Sequence, residues 1–361
     1  MKPYFFFLLF GCILISCQSN PESHNYTSVT ITTIFEDSVS IRAIEFLDSN
    51  TLAFAGSKGI YGTVEANSGK ARANNMKYHT SIPEFRAVAH TSTDFFMLSV
   101  ANPALLYKTG DNGKMDLVYI EEGEGVFYDA MKFWNDKEGI AIGDGEDGCL
   151  SIIITRDGGH NWTKLPCNVL PDLSPISINN NDSHDDVNSF NGVGAFAASN
   201  TNIEILGDNT WVMTSRQPLL FSSDKGKTWE AIITPINTHE YLYQGIYSID
   251  FFDKDLGYGI GGSFDEPEGN SSNKIITKDG GKTWQLIADG EAPGYKSCVQ
   301  FVPNSGGKDL ISIGFTGIDY SNDGGASWKQ LSEEGFYTIR FLNDSIAYAA
   351  GKYRIARLTF N

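Results

Sequence analysis

Four arginines fall at comparable positions of a repeated strand pattern and are well suited to hold a carboxylate. Arg42 and Arg86 each precede an alanine near the start of matching strands, and Arg216 and Arg354 fall in comparable loops of later repeats. A guanidinium offers a planar fork of donors that matches the two oxygens of a carboxylate. We therefore predict these four residues as candidate ligand-binding residues.

Other polar groupings offer weaker chemistry. The segments 144–148, 184–186 and 265–268 are acidic, but none has the spacing of a calcium loop, so we predict no metal site. The glycine-rich segment 257–262 belongs to a strand repeat with no helix after it, which fails the dinucleotide-binding pattern, and we predict no cofactor. No acid/base and nucleophile pair can be assigned by spacing, so no catalytic residue is predicted.

Seven copies of one short strand pattern must position these side chains. The copies are Ile41–Phe46, Phe85–His90, Tyr128–Phe133, the looser Ala195–Ser199, Tyr247–Phe251, Lys296–Phe301 and Phe336–Phe341. Most are followed by a turn, a second strand of small residues, and then a third and a fourth strand. Four antiparallel strands in each of seven units predict an all-β fold, a seven-bladed β-propeller. Six or eight blades are the alternatives.

The two ends of the chain are predicted to meet. The last unit has only three strands. The segment Ser28–Phe35 alternates Val29, Ile31 and Thr33 with Thr30, Thr32 and Ile34, and it belongs to no complete unit of its own. We expect this segment to form the outer strand of the last blade, because the closed ring then has no exposed sheet edge.

Polar side chains share one register of the inner strands, which predicts compensating ion pairs in a central channel with Arg340 beside Glu45. The register comprises Glu45, Ala89, Lys132, Asp250, Gln300 and Arg340.

A second repeat, S/T-x-D-x-G-x-x-W, occurs four times and resembles the Asp-box of bacterial neuraminidases and of many non-catalytic β-propellers. Its aspartates and tryptophans are Asp157 and Trp162, Asp224 and Trp229, Asp279 and Trp284, and Asp323 and Trp328. The carboxylate can accept backbone N–H groups across a tight turn, and the glycine two residues later can take a positive φ. The tryptophan can then cover apolar surface, with its indole N–H near the wet rim. The motif therefore predicts a structural turn rather than a catalytic one.

The N-terminus has the pattern of an exported lipoprotein. Residues 1–16 hold an apolar run too short to span a membrane, and Leu14-Ile15-Ser16-Cys17 resembles a bacterial lipobox. The resemblance implies cleavage before Cys17, lipidation of its thiol, and a membrane-anchored, extracytoplasmic protein of the bacterial cell envelope. An ordinary secretory signal is the alternative. Residues 17–27 then form a polar tether, and residues 28–361 form the propeller.

Two cysteines are predicted to meet near an Asp-box. If the strands flanking the turn at Thr155–Trp162 pair without a bulge, Cys149 and Cys167 lie almost opposite each other. An oxidising envelope would allow a disulfide between them, whereas a slip of register would leave two separate thiols.

The net charge excludes one class of partner, and two polar segments indicate inserted loops. The formal net charge is −17, which argues against nucleic acid as a partner. The polar segment 166–194, rich in Asn, Asp, Ser and Pro, reads as a long inserted loop, and 264–273 as a shorter one.

The Asp-boxes, strand repeats and lipobox together resemble bacterial lipoproteins with neuraminidase-type repeats, and are similar to the photosystem II stability and assembly factor family. Residues 192–202 carry the resemblance to the bacterial group. A rigid scaffold with long loops, a tether and no complete catalytic set leads us to expect a non-catalytic binding or assembly module. Its protein or glycan partner would contact the face opposite the Asp-boxes. A sialidase-like hydrolase of acidic sugars is the alternative. It would need three arginines and a Tyr–Glu pair, and its expected Arg-Ile-Pro motif is missing. Some relatives are labelled oxidoreductases, a label for which this sequence has no cofactor site.

Overall fold

The repeated strand pattern folds into antiparallel sheets. The computed structural model describes residues 24–110, 112–145, 149–173, 193–238, 240 and 243–361. These residues contain 27 β-strands and two 3₁₀ turns, Ser57–Gly59 and Cys167–Val169, and no α-helix. The fold class is therefore all-β, as the sequence predicted.

The strands follow one another in groups along the chain. The first twelve are β1 (Val29–Phe46), β2 (Thr51–Gly56), β3 (Ile60–Glu65), β4 (Ala71–Asn75), β5 (Phe85–His90), β6 (Phe95–Ser99), β7 (Ala104–Thr109), β8 (Met115–Glu121), β9 (Tyr128–Phe133), β10 (Gly139–Gly143), β11 (Ser151–Thr155) and β12 (Thr163–Lys164). The next eight are β13 (Ile203–Leu206), β14 (Asn209–Met213), β15 (Pro218–Ser222), β16 (Glu230–Ile233), β17 (Gly245–Phe251), β18 (Gly257–Gly262), β19 (Lys274–Thr277) and β20 (Gln285–Leu286). The last seven are β21 (Cys298–Phe301), β22 (Leu310–Gly314), β23 (Gly317–Ser321), β24 (Lys329–Ser332), β25 (Thr338–Phe341), β26 (Ile346–Ala350) and β27 (Lys352–Phe360).

Five sheets have four strands, and a sixth joins the two ends of the chain. The strands β5 to β8, β9 to β12, β13 to β16, β17 to β20 and β21 to β24 each form one sheet, and the sixth has the order β25-β26-β27-β1-β2-β3-β4. The long strand β1 belongs to both halves of this sheet. Its first part pairs with β27, from Val29 opposite Phe360 to Ser40 opposite Lys352, and its last part pairs with β2. The predicted pairing of Ser28–Phe35 with the last strand is thus present in the ladder.

The second strand of each group is the most deeply buried. Gly139–Gly143 and Leu310–Gly314 are buried at every position, whereas the fourth strand Ala71–Asn75 is mostly exposed. Continuous apolar strands of this kind are covered on both faces. The sheets therefore pack face to face, and their fourth strands lie at the outside.

The Asp-boxes lie on one side of the molecule. Each Asp-box turn joins the third and fourth strands of its sheet and bonds to the turn between the first and second strands. The N–H of Gly158 donates to the carbonyl of Lys137, and the N–H of Gly280 donates to the carbonyl of Asp255. Glu138 and Lys225 form an ion pair between two neighbouring sheets on this side. We call this side the Asp-box face. The opposite side, where the first strands begin, is the loop face.

Each Asp-box closes its turn with the same hydrogen bonds. In the copy at Asp279, the carboxylate accepts the Thr277 hydroxyl at 2.9 Å and the Thr283 N–H at 2.9 Å. The indole N–H of Trp284 donates to the carbonyl of Gly281 at 3.1 Å. Trp229 and Trp328 make the equivalent bond. The predicted turn is present in the structure, and the turn itself supplies the acceptor for the indole N–H of these three tryptophans.

The glycine two residues after each Asp-box aspartate allows one sheet to pack closely on the next. Gly281 has a φ of +81°, and a Cβ on it would lie 2.3 Å from the indole nitrogen of Trp211 in the preceding sheet. Gly325 has the same relationship to Tyr258, at 2.1 Å. The glycine therefore allows both the left-handed turn and the close approach of a neighbouring aromatic ring.

One predicted first strand is wrong. Residues 195–199 were expected to form the first strand of the fourth repeat, but that strand is β13, Ile203–Leu206. The chain before it is held by hydrogen bonds to other sheets, and Asn200 has a φ of 61°, which is incompatible with an extended strand.

Two further expectations concern the cysteines and the termini. Cys149 and Cys167 form a disulfide with their Cα atoms 5.8 Å apart, and the adjacent ladder pairs Ile153 with Lys164 in the predicted register. Cys17, the segment 1–16, most of the tether and most of the insertion 166–194 lie outside the described residues. Within the described part of the chain, no helix has the length and hydrophobicity needed to cross a membrane.

Candidate functional site

Four β-bulges place polar and aromatic side chains at the loop-face ends of the first strands. The pairing register shifts between Ile41 and Ala43, between Phe85 and Ala87, between Tyr128 and Ala130, and between Ile246 and Ser248. The bulged residues are Arg42, Arg86, Asp129 and Tyr247. A bulge interrupts the alternation of side chains and turns one of them in a new direction. The same local irregularity thus occurs at one level of four different first strands.

Arg42 is largely buried and has little compensation. Its guanidinium carbon lies 4.0 Å from the ring centroid of Tyr337, and one terminal nitrogen donates to the carbonyl of Ala198 at 3.4 Å. Its Nε is buried without a hydrogen-bond partner among the described residues. Burial, together with the charge of Arg86, lowers the pKa of Arg42. A guanidinium in this condition gains from a new anionic partner.

Arg86 is held by one carboxylate. Its Nε and a terminal nitrogen both donate to the same oxygen of Glu84, at 2.9 and 2.7 Å. The Arg86 side chain keeps 26 % of its surface exposed, so it can be reached from solvent. Arg42 and Arg86 are close enough for each charge to act on the other. We call these two residues the arginine pair.

A buried carboxyl group, Asp129, lies near Arg86, and a second, Asp144, lies near Asp129. Asp129 is fully buried, and neither of its oxygens has a hydrogen bond of normal geometry to the described residues. Burial and the neighbouring Asp144 raise the pKa of Asp129 well above its usual range, against the opposing charge of Arg86. Burial raises the pKa of Asp144 to about 6, although it accepts the N–H of Ala195 at 2.9 Å. Burial therefore favours the neutral form of Asp129 and weakens its compensation of the Arg86 charge.

The segment 196–202 crosses the centre of the molecule and forms the floor of this site. The side-chain amide of Asn200 donates to the carbonyl of Val88 and accepts the N–H of Met131. The Ser199 hydroxyl donates to the carbonyl of Ser297, and the Thr201 hydroxyl donates to the hydroxyl of Ser248. Thr338 donates to the carbonyl of Ser199. The segment therefore bonds to all five of the other sheets, each time at a first strand or at the residue beside one.

The four predicted arginines have different partners. Arg42 and Arg86 are neighbours, whereas Arg354 pairs with Glu334 at 2.6 Å and lies over the ring of Phe336. The side chain of Arg216 makes no ion pair with the described residues, and only its backbone bonds to Thr214. The structure thus brings together two of the four.

The hydrolase alternative requires a Tyr–Glu pair near the arginines. Such a contact exists, because the Tyr128 phenol donates to Glu121 at 2.7 Å. However, Tyr128 is only 1 % exposed, and burial raises its pKa. Glu121 also pairs with Lys164 and with the phenol of Tyr119. A buried phenol of raised pKa cannot be reached by a sugar carbon and is not activated as a nucleophile.

The polar side chains that share one register of the first strands form ion pairs. Arg340 lies 3.1 Å from Glu45, as the sequence predicted, and Lys132 pairs with Glu204. Asp250 accepts the N–H of Phe301 at 2.6 Å, and burial together with the charge of Glu204 raises its pKa to about 7. Each charge here has a neighbour of opposite sign, so this layer is structural rather than a ligand site.

Sequence reasoning missed Asp129, Asp144 and Glu204. A signal for Asp129 existed, since Tyr128-Asp-Ala matches the Arg-Ala dipeptides of the two preceding repeats. Glu204 follows Ile203 as Glu45 follows Ile44, but the misplaced strand hid the match. Asp144 has no such signal, because its role depends on the fold of residues 193–195 against it.

Known proteins share the Asp-box repeat and the overall fold of this chain. A model of the BNR/Asp-box repeat matches residues 275–286. Among solved structures, YCF48 bound to a D1 peptide matches with a TM-score of 0.62 at 13 % identity, covering 94 % of this chain and 98 % of that one. YCF48 from Cyanidioschyzon merolae gives 0.61 at 13 %, covering 93 % and 99 %. The WD40 repeats of RRP9 give 0.62 at 10 %, covering 93 % and 100 %. No curated protein matches the sequence. The chain thus carries a BNR/Asp-box repeat and has a β-propeller fold similar to that of YCF48.

Proposed function

We propose that the protein is a non-catalytic binding or assembly module, a seven-bladed β-propeller whose loop face binds a carboxylate-bearing segment of another protein at the arginine pair. The observation that carries this proposal is the neighbouring position of Arg42 and Arg86 on two equivalent bulges, where the one ion pair in the described residues is that of Arg86 with Glu84. In a chain of net charge −17, two adjacent guanidiniums with so little compensation favour an anionic partner.

Seven blades follow from dividing the seven-stranded sheet at β1. Its residues up to Ser40 would then complete the last blade, and its residues from Ile41 would begin the first. The ion pair between Arg340 and Glu45 supports closure between those two blades. A closed ring of blades would leave only short, protected strand edges.

A peptide partner is also supported by the comparison with YCF48, which has been solved with a D1 peptide bound. The fold similarity does not identify the partner of this chain. The hydrolase alternative has no comparable support, because the Tyr–Glu contact is buried and Arg354 is paired elsewhere.

The proposal includes a lipid anchor at Cys17 and an extracytoplasmic location. His24 bonds to Asp309, and the phenol of Tyr320 donates to the His24 carbonyl. Asp309 belongs to the connection between β21 and β22, which lies on the Asp-box face. An anchor seven residues before His24 would leave the loop face directed away from the membrane. Metabolic labelling with an alkyne fatty acid should mark the wild-type chain and not the Cys17→Ser variant; equal labelling of both would exclude this anchor.

Binding can be tested with a fluorescent polyglutamate peptide. We expect the wild-type protein to raise its anisotropy, and Arg86→Gln to weaken binding about tenfold or more, since a hydrogen bond to a charged group contributes about 1.5–3 kcal/mol. Arg72→Gln is the matched control, because Arg72 lies on an outer strand with a side chain that is 70 % exposed. Equal affinity of all three proteins would overturn the proposal.

A further inference from the structure

Three exposed aromatic rings stand together on the loop face. Tyr243, Phe264 and Phe315 expose 37 %, 41 % and 44 % of their surface. The rings of Tyr243 and Phe264 are stacked, with centroids 4.6 Å apart. All three residues belong to connections at the loop-face end of two neighbouring sheets. We call these three residues the aromatic shelf. Exposed apolar groups that cluster in this way mark interaction sites more often than scattered ones do.

The aromatic shelf rests on buried aromatic residues that lead to the arginine pair. Phe315 packs on Tyr295, with centroids 5.1 Å apart, and Tyr295 packs edge-on against Tyr247 at 5.0 Å. The phenol of Tyr247 donates to the carbonyl of Tyr243 at 2.9 Å. Tyr295 in turn lies close enough to Arg42 for the guanidinium charge to act on its phenol. The shelf and the arginine pair are therefore joined by one set of packed, buried aromatic residues on the same face.

The charge of this surface differs between its two ends. At one end stands the arginine pair. At the other, Asp265, Glu266 and Glu268 follow Phe264 directly in sequence, and none of them forms an ion pair with the described residues. The charge of Asp265 reaches Tyr247 beneath the shelf. A ligand that spans the surface thus meets cations first, then aromatic rings, then carboxylates.

We propose, on the basis of the proposed function, that the partner is an extended peptide segment with three features in order. These are an acidic residue at the arginine pair, an aromatic or aliphatic side chain on the aromatic shelf, and a lysine or arginine beside Asp265, Glu266 and Glu268. An acidic glycan could use the first two parts of this surface, but it has no cation for the third. Complementarity of opposite charges at the two ends sets the direction in which the peptide lies.

The test uses the full protein and fluorescent peptides in which glutamate, phenylalanine and lysine are separated by glycine–serine spacers. We expect Phe264→Ala and Phe315→Ala each to weaken binding of this peptide about fivefold, since aromatic residues carry much of the binding energy of such surfaces. Phe252→Ala is the control, because Phe252 is 38 % exposed but lies in a turn of the Asp-box face. Replacing the phenylalanine of the peptide by alanine should weaken its binding to the wild-type protein. Each of the two shelf variants should bind the phenylalanine peptide and the alanine peptide with the same affinity.

A charge exchange tests the order of the three features. Glu266→Lys should weaken binding of the lysine-containing peptide severalfold, and a peptide with glutamate in place of that lysine should recover it. If Arg86→Gln abolishes binding while shelf and Glu266 variants bind normally, the peptide order is wrong and the proposed function stands. If Arg86→Gln also binds normally, both are wrong. Tighter binding of a sialylated oligosaccharide than of any peptide would overturn the peptide assignment.

Discussion

The guanidinium of Arg42 lies over the ring of Tyr337, 4.0 Å from its centroid, and so joins the beginning of the first repeat to the beginning of the last. The contact fixes the plane of the guanidinium. Its donors then lie at the ring edge, while the carbonyl of Ala198 takes only one of them at 3.4 Å. An arginine held over a ring, with its Nε lacking a partner among the described residues, is preorganised for a carboxylate.

Replacing this arginine by lysine should remove the stacking and the fork but keep the charge. We expect Arg42→Lys to weaken binding of an acidic peptide about tenfold, because an ammonium binds as a point charge. Anisotropy titration measures the effect, with Arg72→Lys as the control. Unchanged affinity in Arg42→Lys would mean that only net charge matters at this site.

Protonation of Asp144 should make peptide binding depend on pH. Below its pKa of about 6 the carboxyl is neutral, and above it a negative charge appears beside Asp129, the carboxyl group on which the charge of Arg86 acts. Affinity for an acidic peptide is therefore expected to fall a fewfold between pH 5 and 7. The Asp144→Asn variant should lose this dependence. A pH profile shared by wild type and Asp144→Asn would assign it to another group.

Asp129 should lower the stability of the fold as pH rises. The unfolded chain releases this proton near pH 3.8, whereas the folded chain retains it to a higher pH. Stability is then lost at about 1.4 kcal/mol per pH unit between those two values. Asp129→Asn should remove this loss, so that its advantage over wild type grows from pH 4 upward. Denaturant unfolding at several pH values measures it, and a constant difference would contradict the raised pKa.

The glycine of the Asp-box can be tested for its packing role. Gly281→Ala should cost about 2–5 kcal/mol, because it adds left-handed strain and places a Cβ 2.3 Å from the indole of Trp211. Gly290→Ala is the matched control: Gly290 has a φ of +77° and nothing within 4 Å of the added Cβ, so about 1–2 kcal/mol is expected. Equal losses would show that the contact with Trp211 is unimportant.

The parts of the structure that were predictable are those set by local sequence. The Asp-box turns follow from residues four positions apart, and the contact of Arg340 with Glu45 follows from a shared register. The path of residues 196–202 was not predictable, because Asn200 is held by Val88 and Met131, far away in sequence. For the same reason the sequence indicated four arginines, and only the fold separates Arg42 and Arg86 from Arg216 and Arg354.

A double-mutant cycle between Arg42 and Arg86 tests the central claim most directly. If both arginines contact one carboxylate of the partner, the losses in Arg42→Gln and Arg86→Gln are not additive, and the double variant binds the polyglutamate peptide little worse than the weaker single variant. Additive losses would place the two arginines on separate groups. Binding unaffected in the double variant would contradict the account.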